Sequence, residues 1–96
     1  MPQVHRKGDI GTGHGCWPSR PNIQGSPNVF TNKIPTHRQG DKWAAHCCPG
    51  AGCHNSVLAK GSSTVFINGK QCARKGDPVA CGSKAKTHSP NVFAGG

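Results

Sequence analysis

The chain has no glutamate, no tyrosine and only three aspartates in 96 residues. Val, Ile, Leu and Phe together number 14. A core this thin would point to disorder if nothing else organised the chain. No apolar run reaches the roughly 18 residues of a membrane-crossing helix. No apolar signal segment follows Met1, and no Asn-x-Ser/Thr acceptor occurs, so no classical secretory route is expected. Apolar residues do not recur at helical spacing, and 14 Gly and 8 Pro cut the chain into short pieces; helices are not expected. No G-x-S-x-G or phosphate-binding loop is present, and the three Asp sit in equivalent Gly-Asp pairs, so an enzyme is not expected.

What the sequence does contain is repetition. Val29-Phe30 leads to Arg38 and Gly40-Asp41, and Val65-Phe66 leads to Arg74 and Gly76-Asp77, with eight residues from Phe to Arg in both. A third copy is split between the termini, with His5-Arg6-Lys7-Gly8-Asp9 at the start and Ser89-Pro90-Asn91-Val92-Phe93 at the end. Fixed internal spacing of this kind is architecture, and a split copy predicts a closed three-fold object over residues 1–96, a single domain. Thr64 to Asn68 is β-branched and aromatic and runs into Asn68-Gly69, a strong hairpin signal. Lys33 stands where the second copy has Gly69 and suits a left-handed turn less well. The expected fold is therefore all-β: three hairpins, each followed by a Gly-Asp turn capped by its Asp, then a loop of variable length.

The loops carry most of the Cys and His. Counted from each Gly-Asp, His14 and His46 lie five residues on and Cys81 four. Three-fold closure would bring these side chains together, with a fourth ligand from the longest loop, which holds Cys47, Cys48, Cys53 and His54. Four nitrogen and sulfur ligands in a tetrahedron suit a structural zinc. Without a secretory signal, clustered Cys and His read as metal ligands ahead of a disulfide framework. His5 and His37, each in a His-Arg pair, read as structural or surface residues. Twelve Lys and Arg give a formal charge of +9, but they are scattered, which fits a solvated basic surface.

Taken in order, the P-x-x-R-x-G-D turn, the G-S-P-N-V-F strand and the N-G-K hairpin resemble PAAR-repeat proteins, across Pro2 to Gly95. The name-giving Pro-Ala-Ala-Arg is degenerate here, as Val4-His5-Arg6, Pro35-Thr36-His37-Arg38 and Gln71-Cys72-Ala73-Arg74. The resemblance implies a small β-rich cone that sits on a trimeric β-helical spike and sharpens a contractile injection machine, either a type VI secretion spike or a phage tail. It also implies one zinc near the apex held by three His and one Cys. The matching residues are His14, His46, His54 and Cys81, with Cys48 as the competitor for the place of His54. Apolar residues at the wide base, with Val29, Val65 and Val92 on the hairpins, are the expected spike contacts. One tip per trimer follows, with no self-association, no nucleic acid, and transient contact with a target-cell membrane. Two other readings remain: a zinc-bound nucleic-acid module using Trp17 and Trp43, and a disulfide-rich extracellular domain.

Overall fold

A computed structural model describes all residues, Met1–Gly96. It contains strands and turns and no helix, so no helix crosses a membrane. Three antiparallel hairpins follow one another: β1 (Phe30–Thr31) with β2 (Ile34–Pro35), β3 (Lys42–Cys48) with β4 (Gly52–Val57), and β5 (Phe66–Ile67) with β6 (Lys70–Gln71). The outline is elongated, 39 × 24 × 22 Å.

The three-fold repeat is written in hydrogen bonds. Thr36 N–H donates to Val29 O, Cys72 to Val65 O, and Val4 to Val92 O, at 2.8–3.0 Å. The last of these joins the two ends of the chain, and Gln3 bridges Phe93 beside it, so the split copy closes as a third hairpin. At the centre the chains form a ring: His5 N–H donates to Ala73 O, Ala73 to His37 O, and His37 to His5 O. Each unit is then locked twice. At its start Ser26, Ser62 and Ser89 are buried, and each Oγ caps the N–H groups two and three residues on. At its end Arg6, Arg38 and Arg74 pair with Asp9, Asp41 and Asp77 at 2.9–3.0 Å, and each Asp also accepts the N–H of its own Arg. Gly8, Gly40 and Gly76 hold φ between 83° and 88°, a conformation that side chains resist.

Two small cores stack along this axis. Val4, Cys72 and Ala94 fill the hairpin level, with Val65 and Ile67 against them. Trp43, Leu58, Ala73, Val79 and Ala85 fill the loop level. His5 and His37 belong to the interior: both are fully buried, His5 stacks on Trp43 at 5.2 Å, and His37 meets the Trp43 ring edge-on at 5.4 Å.

Two expectations need correction. The segment after Asp41, read as the longest loop, contains the longest hairpin, β3–β4. β3 lacks β-branched residues: Ala44, Ala45, Cys47 and Cys48 give no clear alternation, and tertiary pairing decides instead. β3 is held on its other side as well, since Ala44 N–H donates to Pro21 O and Ile23 N–H to Lys42 O. The second correction concerns cysteine. The structure has disulfides, Cys16–Cys48 and Cys47–Cys53, and leaves only Cys72 and Cys81 free.

Candidate metal centre

His46 and His54 stand directly opposite each other on β3 and β4, one register step before the Cys47–Cys53 pair. His14 comes from the first loop, where a tight turn exchanges two backbone bonds with Trp17 (3.0 and 2.9 Å). Cys81 comes from the short third loop, turned by Gly82 N–H donating to Val79 O and Val79 N–H to Ser83 O. The four donor atoms lie within 4.8 Å of one another. His54 Nε2 is 2.6 Å from His46 Nε2 and 3.1 Å from His14 Nε2.

Three imidazole nitrogens aimed at one point do not satisfy each other. His46 Nδ1 donates to Pro18 O at 2.7 Å, so its Nε2 carries a bare lone pair. A single proton on His54 Nε2 serves one neighbour and leaves the other unmatched. Burial first, and then the crowding of like groups around them with Arg20 nearby, hold His14 and His54 below their ordinary values, which favours neutral rings able to ligate. Burial opposes the Cys81 thiolate, but the hydrogen bonds of Ser83 and the nearby Arg20 outweigh it and lower its pKa. Three neutral imidazoles and one readily ionised thiol fit a divalent, borderline-soft cation. Trp17 covers the cluster: its ring lies 5.2 Å from His14 and 4.9 Å from His54, and its indole N–H donates to Gly52 O. The surface groove of about 240 Å³ lies beside Ile23, Lys42 and Val57 and holds none of the four.

The structure thus gathers His14, His46, His54 and Cys81. The competitor Cys48 is not in that group; its sulfur is bonded to Cys16. Neither Trp offers a free stacking platform: Trp43 is buried and Trp17 lies over the histidines. The sequence reading missed Arg20, which is buried beside Cys81. Nothing local announces it, because its partners are 24–63 residues away.

A three-fold ring of hairpins under a His/Cys cluster defines a class of small β-rich tip. The sequence model of the PAAR motif matches residues 12–87, and the chain belongs to the PAAR motif family, whose place is the spike of type VI secretion. The NAD(P)(+) glycohydrolase toxin Tse6 of Pseudomonas aeruginosa is 40% identical over 80 residues, 77% of this chain and 18% of the toxin. The (p)ppApp synthetase toxin Tas1, from another strain of that species, matches to the same extent. The double-stranded DNA deaminase toxin A of Burkholderia cenocepacia is 35% identical over 75 residues, 74% of this chain and 5% of that protein. The chain therefore spans less than a fifth of the length of these curated relatives.

Proposed function

We propose that this chain forms a spike tip: one copy caps one trimeric β-helical spike, is carried out by a contractile injection machine, and is driven through the target membrane. One observation carries the reading, the closed ring of His5, His37 and Ala73. A single chain with three equivalent units can match a true three-fold end once, and only once. Self-association is neither needed nor expected.

The base contact rests on three related positions. Phe30, Phe66 and Phe93 oppose Pro35, Gln71 and Gln3 at equivalent places in the three hairpins and are 56%, 54% and 48% exposed. Val65 packs into the hairpin-level core, Val29 is half-buried, and Val92 lies at the surface. The spike therefore meets the Phe residues first, with Val29 and Val65 behind them and Val92 at the same surface. Apolar burial there contributes roughly 25 cal/mol per Å², and pairing across the junction covers open strand edges.

At the other end the four-residue cluster holds one zinc ion. Zinc supplies no redox chemistry here; it ties three loops to one point, so that folding and metal binding become a single event. A rigid apex suits a part that must not yield under load. Elemental analysis after purification without a nickel column should give one zinc per chain, and a folded protein lacking metal removes this part of the reading. Phe30→Glu, Phe66→Glu and Phe93→Glu, singly and together, should abolish co-purification with the spike while leaving thermal melting unchanged. Retained binding by the triple variant would place the contact elsewhere.

A further inference from the structure

Arg20 is 5% exposed, and no carboxylate is left for it. The chain has no glutamate, and each of its three aspartates is held by another arginine. A buried cation without an anion is costly, and proteins rarely keep one. Arg20 directs its three kinds of N–H to three different places. Nε donates to Ala44 O at 3.1 Å, Nη1 to Ser83 Oγ at 3.0 Å, and Nη2 to Cys81 Sγ at 3.2 Å. Two of these acceptors are neutral oxygens. The sulfur is the one group within reach that can carry a negative charge.

The guanidinium also connects parts of the centre that are distant in sequence. Ala44 lies on β3, two residues before His46, whereas Cys81 and Ser83 belong to the third loop. The Arg20 fork therefore sets the sulfur ligand against the strand that carries a histidine ligand. The guanidinium also lies over an aromatic face, its carbon 5.0 Å from the centre of the Trp43 ring. Two residues earlier, Pro18 O orients His46, so one short segment supplies outer contacts to two ligands.

We propose that Arg20 is the positioning residue of the metal centre, holding Cys81 Sγ at its ligating point and acting as the countercharge of the cysteinate. This rests on the metal reading above. Outer partners of metal ligands fix ligand orientation and influence affinity strongly. Lysine replaces the arginine only in part, because one ammonium does not reproduce a planar fork with three targets.

Cobalt(II) alone is the probe, titrated into chelator-treated and refolded protein. Arg20→Gln should weaken cobalt binding by about 10- to 100-fold, and shift and weaken the sulfur-to-cobalt charge-transfer band. Arg20→Lys should fall between. The decisive comparison is with Cys81→His, which places a neutral ligand at the same point. There Arg20→Gln should cost much less, because no cysteinate needs a countercharge. An equal loss in both backgrounds would make Arg20 a brace of the fold and overturn the proposal. If Cys81→His does not bind cobalt, the band decides: an unchanged band and affinity in Arg20→Gln overturn the proposal. A wild-type chain that binds no cobalt would instead remove the metal reading itself.

Discussion

The backbone N–H of His37 donates to the carbonyl of His5 across 3.2 Å, and the two imidazoles meet edge-on at 5.4 Å beside Trp43. Both rings occupy equivalent places in the central ring, where the third unit has Ala73. Here the central ring departs from its pseudo-symmetry, and Trp43 shares a core cluster with the alanine.

This placement predicts an acid-sensitive interior. Burial lowers His37 to about 4 and lowers His5 as well. Above the unfolded value of about 6.5 both states are neutral and this contribution to stability is intact. As pH falls from there toward 4, the unfolded chain takes up protons that the folded chain refuses, and stability is lost. For His37 the loss reaches about 3 kcal/mol. Ring-proton NMR should show His37 still neutral at roughly pH 5. A midpoint at the ordinary histidine value would contradict its burial as a neutral ring.

The three Arg-Asp locks should not be equal. Asp41 is fully buried and accepts three bonds from Arg38, each of 2.9 Å. Asp41→Ala strands a buried guanidinium and should cost about 3–5 kcal/mol. Asp9→Ala, in the more open pair, should cost less. Urea unfolding of the two variants checks the order, and equal losses would contradict it.

The disulfides should rank by the chain they enclose. Cys16–Cys48 spans 32 residues and Cys47–Cys53 spans 6. Loop entropy then gives about 3.7 and about 2.2 kcal/mol. Replacing Cys16 and Cys48 together by Ser should lower the melting temperature more than replacing Cys47 and Cys53. Differential scanning calorimetry at fixed metal content reads the difference, and the reverse order would contradict it.

The two hairpin turns offer a test in the stabilising direction. Asn32 and Lys33 have φ of 54° and 65°, and Asn68 and Gly69 have 55° and 77°. Lys33 adopts a left-handed conformation that costs roughly 1 kcal/mol more than in glycine. Lys33→Gly should therefore raise the melting temperature by several degrees, on the order of 4 °C per kcal/mol or more. A lower melting temperature would show that the lysine side chain contributes something the turn does not.

These features differ in how far the sequence reveals them. The Gly-Asp turns were legible because their bonds close within three residues. The split third copy was legible because its two halves keep their order at the termini. The phase of His14, His46 and Cys81 was legible for the same reason, as distance from a repeated landmark. β3–β4 was not, since its pairing draws on Pro21 and Ile23 from another loop. The disulfides were not, because spacing does not fix which cysteines pair. Arg20 was invisible because its need for Cys81 appears only once every aspartate has been assigned elsewhere.

Native mass spectrometry of the chain co-purified with a trimeric β-helical spike tests the central claim most directly. It counts protein chains and metal in one measurement. The account predicts one copy of this chain and one zinc ion on three spike chains. Three copies per trimer, a self-associated chain, or no complex would contradict it.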